Sequence, residues 1–137
     1  MQYIGKINIE NFNGISDKKL LTDEVILTDK QREHIAERHQ EVLHKYEKYF
    51  TEIIEKPDYI LKDNVRKNTA LILKTIIEKN RNQNIIGRVN LVLRLAVEGD
   101  DINNKNSIIT CIPIGKNRLQ SYINNGKIIW QKLDKNA

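Results

Sequence analysis

Between Thr69 and Val97 the chain reads TALILKTIIEKNRNQNIIGRVNLVLRLAV, two β-branched-rich runs on either side of a polar connection. Alternation of period two predicts strands over Thr69 to Glu78 and Ile85 to Val97, with Asn80 to Asn84 as the hairpin turn. Downstream, Ser107 to Ile114 and Lys127 to Lys132 repeat the pattern. Gly99 to Asn106 reads as a second hairpin connection, and Gly115 to Gly126 is long enough for a helical turn. Four strands follow from this half.

Upstream the period changes. Thr28 followed three residues later by Gln31 has the form of a capping box, so a helix starts at Asp29. Ile35, His39, Val42, Leu43, Tyr46, Phe50, Ile53 and Ile54 then recur at helical spacing until Pro57 forbids continuation, as one long helix or two consecutive ones. Tyr59-Ile60-Leu61 is a short strand after the Lys56-Pro57-Asp58 break. Glu24-Val25-Ile26-Leu27 runs into the capping box, and the opening YIGKINIE alternates like a strand before a turn-rich break at Asn11 to Gly14. Helices first and an antiparallel sheet afterwards is an α+β arrangement.

At 137 residues and 16.0 kDa the chain has the size of one domain, 1–137, with 1–24 as an N-terminal strand and loop and 25–132 as the core. A hydrophobic fraction of 39% beside 30% charged residues excludes a membrane span and a disordered chain. The lone Cys111 cannot form an intramolecular disulfide, and with no secretion signal visible a cytoplasmic location is expected. The net charge of +5 is uneven: residues 1–68 hold 12 Lys/Arg against 13 Asp/Glu, residues 69–137 hold 11 against 5. A basic half suits a polyanion such as nucleic acid, or simply a solvated surface.

The segment His34-Ile35-Ala36-Glu37-Arg38-His39 concentrates chemistry on a capped helix. His34 and Arg38, four apart, share a face, while His39 lies above Ile35 on the stripe expected to meet the core. The histidines are five apart, which fails the zinc-protease spacing, and no metal site is expected. A buried, satisfied ring explains His39 as well as catalysis does, and a surface position explains His34. An imidazole that exchanges protons near neutrality beside a permanent cation nevertheless suits phosphate chemistry.

On the strand from Ile85, Arg88, Asn90 and Arg94 alternate onto one face that could bind phosphate. Lys74 interrupts an apolar run and must be edge-exposed, paired or placed for work. Thr110 either satisfies the backbone or holds a phosphate, and Tyr122 and Trp130 offer faces for bases, Trp130 fitting the core better. Lys132 adds a cation beside the last strand. Carboxylates for a two-metal nuclease are scarce in the basic half, and no phosphate-binding glycine loop is present.

In combination these features resemble phage-associated nucleases of the barnase, EndoU, colicin-tRNase and RelE-like superfamily. The features are the VILT-type strand, His34, Arg38 and His39 on one helix, the Lys56-Pro57-Asp58 break and the Ser107-Ile108-Ile109-Thr110 strand. The resemblance covers about Val25 to Lys132. It implies two N-terminal helices packed on a four-stranded antiparallel β-sheet, and an endoribonuclease that cuts RNA without metal or other cofactor. Carried over, it makes His34, Arg38, His39, Lys74 and Thr110 the catalytic candidates; Arg88, Arg94, Tyr122 and Lys132 are read as the residues that bind RNA.

The reaction implied is attack of the ribose 2′-hydroxyl on the adjacent phosphorus, giving a 2′,3′-cyclic phosphate. Expected partners are RNA, tRNA among the candidates, and an acidic inhibitor protein if the chain is of toxin type; no membrane is expected. The competing reading is a catalytically silent nucleic-acid-binding or phage structural module.

Overall fold

Thr69–Ile77 and Ile85–Arg94 pair antiparallel from Thr69↔Arg94 to Ile77↔Ile85, and the other elements are laid against this ladder. In chain order the elements are β1 (Gln2–Lys6), β2 (Glu24–Leu27), α1 (Asp29–Tyr46), α2 (Phe50–Glu55), β3 (Tyr59–Lys62), β4 (Thr69–Ile77), β5 (Ile85–Arg94), β6 (Asn106–Pro113), α3 (Lys116–Asn125) and β7 (Lys127–Gln131). The structure, a computed structural model, describes residues 1–133. Among these, no helix is long and apolar enough to cross a membrane.

The sheet has seven strands in the order β1-β2-β6-β5-β4-β3-β7. This corrects the four-stranded antiparallel sheet with N-terminal helices. The four strands read from the second half are present, but further short ones join the same sheet: β1 and β2 beyond β6, and β3 between β4 and β7. The sheet is mixed because β2 runs parallel to β6, through Val25↔Asn106 and Ile26↔Ser107. The helices follow two strands and do not lead the chain. Past Ser107, β6 has no strand on its outer edge, and α1 packs there.

Alternation divides the central strands into two sides. Ala70, Ile72 and Ile76 of β4, Val89, Leu91 and Leu93 of β5, and Ile108 and Cys111 of β6 join one buried cluster with Ile35, Val42, Leu43, Tyr46, Phe50, Ile53 and Ile54 of the helices. The opposite side carries Leu71, Leu73, Arg88, Asn90, Val92 and Thr110, as the cross-strand pairs Leu73↔Asn90, Leu71↔Val92 and Val92↔Thr110 require. Gly87 allows the close approach of α1 to β5, since a Cβ there would collide with the Tyr46 hydroxyl oxygen.

Helix α1 begins as the sequence dictates, with Thr28 Oγ1 accepting from the Gln31 N–H at 3.1 Å. It does not run straight. His39 has φ −149° and ψ 68°, which breaks the helix into arms 29–38 and 40–46. Arg32 donates to both carboxylate oxygens of Glu47, at 3.0 and 2.9 Å. In a straight helix fifteen residues would separate them by about 22 Å, so the arms fold toward each other. The expectation that His39 continues the Ile35 stripe into the core is overturned: the break ends the helical period, and the ring is 48% exposed.

Two outcomes test this packing. Gly87→Ala pushes against Tyr46 and destabilises by about 1–3 kcal/mol, read as a lower Tm in thermal melts; an unchanged Tm would detach α1 from β5. In the double variant Arg32→Cys with Glu47→Cys, a short bis-maleimide joins the two sites in the folded protein. Cys111 does not compete, being fully buried with its thiol pushed by burial up to about 12. Absence of the cross-link would mean that the arms are not folded together.

Candidate functional site

The first arm of α1 turns Ile35 to the core, so its outer positions face solvent. His34, Arg38 and His39 are all exposed at the end of this arm. The nearest carboxylate to the His39 ring is Glu41, with Oε1 4.0 Å from Nδ1. Among the described residues His34 and Arg38 make no side-chain hydrogen bond or ion pair, so these two side chains are not committed to holding the fold.

A second set stands on the side of the sheet opposite the helices. Arg88, half-buried, lies across from Thr75 of β4 and has no ion pair among the described residues. Two residues along β5, Asn90 is 2% exposed, and its Nδ2 donates to Tyr122 Oη of α3 at 3.3 Å. Thr110 of β6 faces the same side, opposite Val92. Arg88, Asn90 and Thr110 thus face away from the side of the sheet on which α1, with His34, Arg38 and His39, packs.

Other sequence candidates are held by structural partners. Lys74 lies on the helix side of β4 and is 14% exposed; its ammonium donates to the Lys56 carbonyl at 2.6 Å, at the end of α2, and sits 3.5 Å from Asp58 Oδ1. Lys132 lies 2.8 Å from the same Asp58 oxygen, while Asp58 Oδ2 accepts from the Thr75 N–H at 2.8 Å. A 6%-exposed carboxylate thereby receives two cations and a backbone donor, which ties together β3, β4 and the end of β7. Arg94 donates to the Leu95 carbonyl and pairs with Asp100 at 3.7 Å, away from Arg88.

Sequence reasoning placed Arg88, Asn90 and Arg94 on one face, and they are there. It read Asp58 only as part of a helix break, whereas Asp58 fixes two of the candidate lysines. Trp130 packs partly buried against the core. Among the described residues no three His, Cys, Asp or Glu side chains gather in a way that would hold a metal ion.

Comparison with curated proteins and with solved structures returns no match. Comparison with protein families returns the phage-Barnase-EndoU-ColicinE5/D-RelE like nuclease2 family, matched over residues 4–131. The matched span runs from β1 through β7 and includes both the helix-borne and the sheet-borne groups. The chain belongs to this phage-Barnase-EndoU-ColicinE5/D-RelE like nuclease family, and its function class is that of a nuclease.

Proposed function

We propose that this nuclease cleaves RNA without a metal ion, by transesterification. The 2′-hydroxyl oxygen attacks the neighbouring phosphorus and its proton passes to a base. The bond from phosphorus to the 5′ oxygen breaks, and that oxygen takes a proton from an acid, leaving a 2′,3′-cyclic phosphate and a 5′-hydroxyl. His34 and His39 serve as the proton carriers, and Arg38 neutralises charge on the phosphoryl oxygens. Arg88 and Thr110 contact the RNA backbone on the side of the sheet opposite the helices.

The observation that carries this reading is the exposure of both imidazoles beside Arg38, with His34 and Arg38 making no side-chain hydrogen bond or ion pair among the described residues. Histidines kept for packing would be inside and bonded. Asp58 engages both Lys74 and Lys132, which counts against Lys74 as a catalytic group and against Lys132 as an RNA contact; the second reading is a binding module without turnover.

Purified protein in excess EDTA is expected to cut RNA, to leave DNA of the same sequence intact for want of a 2′-hydroxyl, and to slow by about 100-fold in His34→Ala or His39→Ala. Lost activity on chelation, or wild-type rates in both histidine variants, would overturn the mechanism; salt-sensitive binding with no fragments would establish the silent module. Lys74→Met is expected to act on stability instead, lowering Tm by leaving Asp58 and the Lys56 carbonyl short of a donor, at a cost of about 1–3 kcal/mol.

A further inference from the structure

Asn90 is a buried side chain whose hydrogen bonding is incomplete. Its Oδ1 has no partner, although the residue is 2% exposed. Reversing the amide does not remove the deficit: Tyr122 Oη would then donate to Oδ1, and the amide N–H groups would be left unpaired. One polar group of the carboxamide lacks a partner in either orientation.

The side chain lines a cavity of about 360 Å³ on the sheet face opposite α1 and α2. This is at the small end of the range of ligand pockets, about 300–1,000 Å³. Its walls are apolar, from Leu61, Leu71, Val92 and Ile112, and Tyr122 supplies an aromatic ring and a hydroxyl. Lys62 and Arg66 stand on its rim and are shared with an adjoining cavity that adds Lys67 and Lys127. Arg66 is paired with Asp63 at 3.3 Å, whereas Lys62, Lys67 and Lys127 form no ion pair among the described residues.

A cavity with apolar walls, the Asn90 amide and the Tyr122 hydroxyl, with Lys62 beside it, Asp63 paired to Arg66, and Lys67 and Lys127 on the adjoining cavity, matches a molecule that is planar and polar-edged at one end and anionic at the other. The geometry points to a nucleobase pocket: Asn90 and Tyr122 read the edge of one base of the substrate RNA while Lys62, Lys67 and Lys127 hold the flanking phosphate. A carboxamide presents a donor beside an acceptor, the pattern that reads base edges, and apolar and aromatic walls take the faces of the ring. The assignment of the base to substrate rests on the ribonuclease reading, but the pocket itself does not.

The test therefore has a binding arm and a cleavage arm. Binding of AMP, GMP, CMP, UMP and inorganic phosphate to the whole protein is followed by NMR shifts. At least one nucleotide is expected to bind more tightly than phosphate, and Asn90→Leu to weaken it by about 10-fold or more with phosphate binding unchanged. Asn90→Leu also replaces an unsatisfied amide by a hydrocarbon of similar size, so its Tm is expected to hold or rise. Should it fall, Tyr122→Phe, which keeps the ring, supplies the same comparison.

In the cleavage arm, mapped RNA ends are expected to show a base preference that Asn90→Leu flattens. Nucleotides that bind no better than phosphate, or equally well to both proteins, would overturn the pocket even if RNA is cut. Asn90-dependent nucleotide binding without any RNA cleavage would uphold the pocket and sink the ribonuclease reading.

Discussion

Burial of one side of β4, β5 and β6 against α1 and α2 is the constraint on which the rest of the molecule depends. Ile72, Leu91 and Cys111 are completely inaccessible, as are Ala70, Ile76, Val89 and Ile108 around them. Each large apolar side chain so buried contributes on the order of 1.5–3 kcal/mol. Because side chains alternate, fixing this side also fixes what the other side presents: Arg88, Asn90 and Thr110 among Leu71, Leu73 and Val92. A slip of one residue would send Arg88 and Asn90 to the helix side, so the ladder that stabilises the fold also places the groups on the other side. Sites carried on such strands are held more rigidly than sites on loops.

This division was legible in the sequence because it is local: the period of two between Thr69 and Val97 shows which residues share a side. The extent of the sheet was not. The segments at Gln2, Glu24 and Tyr59 read individually as strands, but whether a short strand joins a sheet depends on a partner far along the chain, as Val25 depends on Asn106. The start of α1 was legible from Thr28 and Gln31. Its break at His39 was not, since neither glycine nor proline marks it. The bend is held by tertiary contacts, with Ile35 on one arm and Val42, Leu43 and Tyr46 on the other all buried, and with Arg32 clasping Glu47 between the arms. Glu47 holds the Arg32 guanidinium above its ordinary pKa, but the clasp is exposed and salt screens it, so it guides geometry more than it stabilises.

The uneven charge has a similar explanation. Cations of the basic half meet carboxylates of the acidic half across the fold: Lys79 with Glu52, Lys105 with Glu24, and Lys74 and Lys132 with Asp58. Part of the asymmetry therefore joins early segments to late ones, and a count along the sequence overstates the charge available to a polyanion. What remains uncommitted is more telling than the total. Arg88 on the sheet, Arg38 beside the histidines, and Lys62, Lys67 and Lys127 around one cavity are among the cations with no opposite charge in contact among the described residues.

Two asparagines show how partners separate structure from function where burial does not. Asn106 is fully buried, and both ends of its amide are used: Oδ1 accepts from the Ala96 N–H at 2.8 Å and Nδ2 donates to the Thr22 carbonyl at 2.9 Å. It fastens the lead into β2 to the strand beside it, and its removal would leave two backbone groups unsatisfied. Asn90 is buried almost as deeply, yet its Oδ1 has no partner, and the residue lines a cavity. An unmet polar group costs about 1–3 kcal/mol, and a leucine would fit among Leu71, Val92 and Ile112 without that cost. Folding alone favours the hydrocarbon at this position. The amide has a physical purpose once a ligand supplies the missing hydrogen bond.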